Sequence, residues 1–136
     1  MQLLYYSSGV DKNAKRLRAA VHKVIPKGRI EHFSKLTDFH DRLRTIVEPD
    51  SVAVLSAPNR GELQEMQLFR TLLTELYVIL VLPDRGKGTI ALAHHLLPRF
   101  LSQKDSDFAD LKAVLNRMYD NSQKSHDLES DRGVLE

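Results

Sequence analysis

Short strand-like segments alternate with stretches of helical periodicity five times along this chain of 136 residues. We place the strands at 3–6, 29–33, 51–56, 77–82 and 99–102. Most of these segments are runs of leucine, aromatic or β-branched residues that end at turn-forming residues, and the less apolar segment 29–33 is predicted to lie near an edge of the sheet. Strict alternation with helices indicates a parallel sheet, since a helix supplies the crossover that parallel neighbours need.

The alternation predicts an α/β fold of the flavodoxin-like type. This fold is a three-layer sandwich in which a five-stranded parallel sheet of order 2-1-3-4-5 carries helices on both faces. The five strand–helix units fill residues 1–119, which we assign to one domain. Residues 120–136 hold five carboxylates against two cationic side chains and few large apolar residues. We therefore predict a flexible acidic C-terminal tail over 120–136.

Composition excludes several classes of function. The chain has no cysteine, which rules out disulfides, thiolate metal ligands and a cysteine nucleophile. No apolar run approaches the roughly 20 residues that span a bilayer, and the N-terminus lacks the basic start of a signal peptide. The net charge of +2 is too small to favour a nucleic-acid or membrane partner. We expect a soluble cytoplasmic domain without a metal or a cofactor.

Polar side chains follow several of the predicted strands. Ser7 and Ser8 come after the first strand, Ser56 ends the third, and Asn59 lies in the loop after it. Gln103 and Lys104 follow the fifth strand. In doubly wound sheets, ligands lie beyond the carboxyl ends of the strands, near the point where the strand order reverses. These side chains are therefore our candidate site.

The chain resembles the receiver domains of bacterial response regulators over about residues 1–119. The resemblance is best in the last third, at Tyr77 to Leu82, Ala91, Ala93, Phe100-Leu101, Phe108, Leu111 and Leu115. It implies the fold of the chemotaxis response regulator. It also implies a site in which two acidic residues after strand 1 hold magnesium and an aspartate after strand 3 accepts a phosphoryl group. A Thr or Ser after strand 4 and a Lys after strand 5 then sense that group.

This sequence departs from the family's site at almost every position. Ser7 and Ser8 replace the acidic pair, Ser56 replaces the acceptor aspartate, and Leu82 stands at the Thr or Ser position. The family lysine falls on Gln103, or on Lys104 if the register shifts by one. A neutral hydroxyl neither attracts magnesium as a carboxylate does nor attacks an acyl phosphate unaided.

The resemblance and these departures together imply a non-catalytic, phosphorylation-independent receiver-like signalling module. Such a module would act through protein–protein interaction in a bacterial two-component-type pathway, with a histidine kinase or another signalling protein as its partner. We expect no catalytic residue in this chain.

Two stretches are candidate partner-binding surfaces. The first predicted helix carries a basic face that includes Lys12, Lys15, Arg16 and Lys23. This face suits an acidic partner or the chain's own tail, and a merely solvated face is the alternative. In receiver domains the face of helix 4, strand 5 and helix 5 commonly carries dimer or partner contacts. The matching stretch here contains Leu96, Leu97 and Phe100, which form an interface for a partner or a homodimer if exposed, and core if buried.

The same loops allow a function of another class. The segment 6–13 resembles a flavodoxin phosphate loop, in which hydroxyls and amides at a helix N-terminus surround the FMN phosphate. The alternative function is therefore a flavodoxin-like protein or enzyme that binds FMN or another phosphate-bearing ligand at the strand ends. Its binding residues would be Ser7, Ser8, Asn59, Arg60 and Arg85.

Two further motifs have structural interpretations. The stretch Gly86-Lys87-Gly88-Thr89 lacks the spacing of a P-loop, and we predict a connection in which Thr89 caps the next helix. His94 and His95 are adjacent on a predicted helix and point about 100° apart. They do not chelate one ion as a pair four residues apart can.

Overall fold

A computed structural model describes the backbone of residues 1–135 and the side chains of residues 1–123. Strands and helices alternate along the chain as the sequence predicts. The strands are β1 Leu3–Tyr6, β2 Ile30–Phe33, β3 Val52–Ser56, β4 Tyr77–Leu82 and β5 Phe100–Gln103. The helices are α1 Lys12–Val24, α2 Leu36–Leu43, α3 Arg60–Met66, α4 Arg70–Leu73, α5 Lys87–His94 and α6 Ala109–Leu135, with 3₁₀ turns at Lys27–Arg29 and Gln67–Phe69. Within this described part, no helix is long and apolar enough to cross a bilayer.

The five strands pair in parallel in the order β2-β1-β3-β4-β5. This arrangement confirms the predicted order 2-1-3-4-5 and the flavodoxin-like α/β fold. The central strands β1 and β3 are buried almost throughout, as strands covered on both faces should be. Because β1 lies between β2 and β3, the strand order reverses at the carboxyl ends of β1 and β3. That point is where ligands of such sheets bind.

Each face of the sheet carries its own apolar cluster, because alternate strand residues point to opposite faces. Helices α1 and α6 cover one face and pack on it mainly through Leu17, Val21, Leu111 and Leu115. Helices α2 to α5 cover the other face, mainly through Phe39, Leu63, Met66, Phe69 and Ala93. The position of a residue along its strand therefore determines whether its side chain faces α1 and α6 or faces α2 to α5.

The structure corrects the predicted starts of three strands, of which β3 begins at Val52 rather than Ser51. β2 begins at Ile30, because the N–H of Arg29 closes a turn on the carbonyl of Pro26 at 2.9 Å. β5 is shifted by one residue, to Phe100–Gln103. Between β3 and β4, the turn Gln67–Phe69 separates α3 from α4 and places the Phe69 ring against Phe39 with centroids 6.5 Å apart.

The last helix passes the predicted domain boundary. α6 continues beyond residue 119 to Leu135, so the boundary falls inside a helix. The flexibility of residues 120–136 stays a prediction, and the side chains from residue 124 onward lie outside the described residues.

Candidate functional site

Three of the predicted site residues line one crevice at the switch point. Ser7, Ser56 and Lys104 lie at the ends of β1, β3 and β5 and border a crevice of about 70 Å³ against α1. Ser7 is almost fully buried, with 5% of its surface exposed, whereas Ser56 is half-buried and Lys104 is exposed. Backbone pairing fixes them: the N–H of Ser7 donates to Phe33 and that of Lys104 to Leu82, both at 3.0 Å. The crevice thus presents two hydroxyls and one ammonium group.

The other four predicted residues lie elsewhere. Leu82 is fully buried in the core beneath α2 to α5, and Gln103 pairs with it in register and so points to the same face. Of the two alternatives for the family lysine, Lys104 is therefore the one at the crevice. Ser8 is exposed and lines a neighbouring groove. Asn59 is the N-cap of α3, where its side-chain oxygen accepts the N–H of Glu62 at 2.9 Å.

A side-chain contact joins the starts of α3 and α5 at this edge of the sheet. Nε of Arg60, the first residue of α3, donates to Oγ1 of Thr89 in α5 at 3.1 Å, and Thr89 is fully buried. Asp84 joins them, because the Thr89 hydroxyl and the N–H of Gly86 both donate to its carboxylate and lower its pKa, with a smaller contribution from Arg60. The predicted cap is wrong: α5 begins after Gly86, and Thr89 lies inside its first turn, held by Arg60.

The glycines of this loop make room for Arg60. A Cβ on Gly88 would lie 3.0 Å from Nη1 of Arg60, and a Cβ on Gly86 would lie 2.9 Å from Oδ1 of Asp84. Contacts this close would force the guanidinium or the carboxylate to move. The close packing of Arg60 against the start of α5 therefore explains why glycine occupies positions 86 and 88 in the Gly-Lys-Gly-Thr stretch.

A second contact joins β1 to α3. Tyr6 is only 1% exposed, and its hydroxyl donates to Oε1 of Glu62. Burial, together with the neighbouring Glu62 carboxylate, raises the pKa of Tyr6 to about 12. The phenol therefore stays protonated at neutral pH and acts as a donor to a carboxylate of α3.

Two arginines tie the remaining loops together. Arg85 makes a bidentate pair with Asp105 at 3.0 and 3.1 Å, which lowers the pKa of Asp105 and joins the β4–α5 loop to the β5–α6 loop. Arg16 of α1 donates to the carbonyl of Ser106 at 2.8 Å and lies over the ring of Phe108. These groups are exposed, so each contact contributes little stability alone. Together, however, they join the β5–α6 loop to α1 and to the β4–α5 loop.

The arrangement lacks the chemistry of a divalent-cation site. The nearest carboxylates are already engaged: Asp11 caps α1 through the N–H of Ala14, Glu62 accepts from Tyr6, and Asp84 accepts from Gly86. Among the residues with described side chains, no three His, Asp or Glu groups come together as a metal would require. The lining of the crevice contains no histidine beside the hydroxyls of Ser7 and Ser56, and its one carboxylate, Asp11, accepts the N–H of Ala14 as the cap of α1.

The predicted basic face divides into two sides of α1. Arg16 turns toward the β5–α6 loop, where its guanidinium bonds to backbone carbonyls. Lys15 lies on the opposite side, facing the edge strand β2. Lys12 and Lys23 are exposed between them. The described structure leaves the cationic groups at positions 12, 15 and 23 accessible to a partner.

The three apolar candidates do not form one patch. Leu96 is 3% exposed and packs in the core under α2 to α5. Phe100 is half-buried against the cluster on the other face of the sheet. Leu97 is 67% exposed, in a backbone conformation with φ of 53°. A partner can reach Leu97, whereas Leu96 is a core residue.

Sequence reasoning missed the pairs Arg60–Thr89 and Tyr6–Glu62. Each pair joins residues that lie far apart in sequence, and only the packing of α3 and α5 on the sheet brings them together. The glycines at 86 and 88 were the visible signal of a close approach.

No protein-family model matches the chain, and a search of curated proteins finds no match. The resemblance to receiver domains therefore stays a prediction.

Proposed function

We propose that this chain is a receiver-like signalling module that accepts no phosphoryl group, catalyses no reaction and acts through protein–protein contact in a bacterial two-component-type pathway in the cytoplasm. The observation that carries the proposal is the crevice at the switch point, whose lining combines Ser7, Ser56 and Lys104. A receiver that works by phosphorylation needs three carboxylates at that place.

Electrostatics supports this proposal. Magnesium is a hard cation that takes charged oxygen ligands and gives up its water reluctantly. The crevice presents an ammonium group at Lys104, and its one carboxylate, Asp11, is committed to the N-terminus of α1. A cation entering here would meet a positive charge without the anionic ligands that offset its loss of water.

The bracing of the loops supports a module with one working conformation. A phosphorylation switch needs two arrangements of its loops that differ little in free energy. Here the contacts Arg60–Thr89, Tyr6–Glu62 and Arg85–Asp105 all stabilise the same arrangement of the loops. Partner binding would then depend on surfaces that are permanently displayed, such as the exposed lysines of α1 and Leu97.

The size of the crevice bears on the alternative function. Pockets for small ligands typically enclose about 300–1,000 Å³, whereas this crevice encloses about 70 Å³. It has no room for an isoalloxazine ring in this conformation. The flavodoxin-like alternative would also require Asn59 and Arg60 to leave their contacts with Glu62 and Thr89.

The test separates phosphoryl transfer from binding. The intact chain is incubated with magnesium and acetyl phosphate, and separately with a phosphorylated histidine kinase, and its mass is measured. A receiver with an intact acceptor aspartate serves as the positive control. We expect no phosphoryl adduct, and binding to the kinase that is equal with and without a phosphoryl donor. A phosphoryl adduct, or binding that depends on the donor, would overturn the proposal.

A matched pair of variants tests the binding surface. Lys12→Glu with Lys23→Glu reverses two exposed charges of α1, and we expect kinase binding to weaken at least tenfold, with the largest effect on the association rate. Arg70→Glu reverses an exposed charge on α4, beneath the other face of the sheet, and should leave binding unchanged. Equal effects of the two changes would show that the α1 face is not the contact surface.

A further inference from the structure

A second concavity lies beside α1, where that helix passes over the edge strand β2. This α1–β2 groove encloses about 210 Å³, more than the crevice at the switch point, and its walls are mainly apolar. Its lining comes from β1, α1, β2 and the loops that follow the two strands. The residues used below are Tyr5, Val10, Ala14, Lys15, Arg18 and His32.

Positive groups converge on the groove from two walls. Lys15 and Arg18 are three residues apart on α1 and so share one side of the helix. His32 comes from the opposite wall, because it pairs in register with Tyr5 and points to the face that α1 covers. Neither Lys15 nor Arg18 forms a salt bridge or a side-chain hydrogen bond within the described residues. Arg16, by contrast, donates through Nη2 to Asn13 and to the carbonyl of Ser106.

The nearby carboxylates are held away from these charges. Glu31 precedes His32 on β2 but points to the other face, where it binds Nε of Arg42 at 3.0 Å and Gln2 at 3.1 Å. Asp11 is used as the cap of α1. Lys15 and Arg18 are exposed at the rim of the groove, and neither has a carboxylate partner within the described residues.

His32 is positioned to donate a further hydrogen bond to a ligand once its ring is protonated. Its ring stacks on Tyr5 with centroids 4.8 Å apart, and its Nε2 lies 3.3 Å from the carbonyl oxygen of Ser7. A carbonyl only accepts, so in the neutral ring Nε2 carries the hydrogen and Nδ1 is the basic nitrogen. His32 is exposed overall, but the loss of water on the side of its ring that meets the protein lowers its pKa, as do Arg18 and His22. The ring is therefore neutral at pH 7 until an anion makes protonation of Nδ1 favourable.

We propose that the α1–β2 groove binds a small phosphate monoester, with the phosphate between Lys15, Arg18 and His32 and an apolar body against Tyr5, Val10 and Ala14. The planar guanidinium of Arg18 suits the oxygens of a phosphate, and Lys15 adds a second charge. The volume equals roughly seven waters at about 30 Å³ each. That is below the roughly 300–1,000 Å³ of pockets for drug-sized ligands, so the groove suits a phosphate with one small ring. Its apolar walls favour an ester over the bare ion.

Binding should change the protonation of His32. The titratable groups near its ring are Arg18 and His22 from α1 and Tyr5 from β1, and Lys15 lines the same groove. Burial raises the pKa of Tyr5, so this phenol stays neutral and adds no charge. A phosphate dianion would then be the dominant new charge beside His32. Its attraction for the imidazolium should raise the pKa of His32 by about one unit.

The experiment is a titration of the full chain followed by nuclear magnetic resonance. Phenyl phosphate is the probe, inorganic phosphate tests the head group alone, and phenol tests the apolar body alone. We expect phenyl phosphate to shift the amide signals of Lys15, Arg18 and Ser34, to raise the pKa of His32, and to bind at least tenfold more tightly than either control compound. Equal affinity for inorganic phosphate and phenyl phosphate would overturn the proposal that the apolar walls of the groove bind the body of the ester.

Three variants test whether the phosphate ester binds in the α1–β2 groove. Arg18→Gln should weaken phenyl phosphate binding about tenfold, because it removes one charge-assisted contact, whereas Arg70→Gln removes a distant exposed charge and should change nothing. Ser56→Ala alters the switch-point crevice and should leave the binding intact, which keeps this test independent of the proposed signalling function. The proposal fails if no signal shifts, or if Arg18→Gln binds as tightly as the unmodified chain while retaining its circular dichroism spectrum.

Discussion

Replacing Tyr6 with phenylalanine removes a single oxygen from a buried side chain and tests the bracing of the sheet edge. The Tyr6 hydroxyl donates to the carboxylate of Glu62 and so joins the end of β1 to α3. A hydrogen bond to a charged group contributes about 1.5–3 kcal/mol. Glu62 is only half-buried, so water replaces part of the lost contact, and we expect the value at the lower end, about 1.5 kcal/mol.

The assay is urea denaturation of the unmodified chain and of two variants. Tyr77→Phe is the matched control, because Tyr77 is partly exposed and its hydroxyl makes no hydrogen bond within the described residues. We expect Tyr77→Phe to change the free energy of unfolding by less than about 0.5 kcal/mol. The denaturant dependence of the free energy should be the same for all three proteins, since the exposed surface on unfolding barely changes.

The same pair makes a prediction about pH. The phenol of Tyr6 ionises near pH 10 in the unfolded chain and near 12 in the folded protein, because its folded-state pKa is raised to about 12. A raised pKa contributes stability that is complete below pH 10 and is lost as the pH rises from 10 toward 12. The gap between the unmodified chain and Tyr6→Phe should therefore be constant below pH 10 and shrink above it. A gap that stays constant through this range, or that matches Tyr77→Phe, would refute the reasoning.

Other predictions concern the same edge and the apolar candidates. Thr89→Val should lower the free energy of unfolding by about 1–2 kcal/mol and speed amide exchange at Gly86 and Gly88, because Arg60 loses its acceptor. Thr89→Ser should behave like the unmodified chain. Equal exchange rates in the two variants would contradict the role of this contact. Leu96→Ala should cost about 3 kcal/mol in thermal or urea unfolding because Leu96 is buried. Leu97→Asn should be neutral or stabilising by about 0.5 kcal/mol, because the left-handed backbone at φ of 53° suits asparagine better than leucine; a large loss there would show that Leu97 is packed.

The fold could be predicted from the sequence because its main determinants are local. Segments such as Val52–Ser56 and Tyr77–Leu82 are apolar on both faces, which only a sheet covered by two helical layers can bury. Alternation with helices then restricts the sheet to parallel pairing. The points at which the helices are interrupted were harder to predict. The turn at Gln67–Phe69, for example, depends on where the Phe69 ring meets Phe39 across the core.

The candidate site could be predicted only in part. Ser7 and Ser56 follow from their positions at strand ends, but the choice between Gln103 and Lys104 turns on one residue of register. A shift of one residue moves a side chain to the opposite face of the sheet, and the predicted start of β5 was wrong by that amount. The α1–β2 groove was not predicted, because Arg18 and His32 meet there only through the pairing of β2 with β1.

The central claim is that the switch-point crevice lacks the uncommitted carboxylates that would bind a divalent cation and accept a phosphoryl group. The most direct test is an amide resonance titration of the intact chain with magnesium, and then with magnesium plus beryllofluoride, a stable mimic of a phosphoryl group. We predict no saturable shift at Ser7, Ser56 or Lys104, while a receiver with an intact acceptor aspartate shifts under the same conditions. A magnesium-dependent shift that saturates at these three residues would contradict the account.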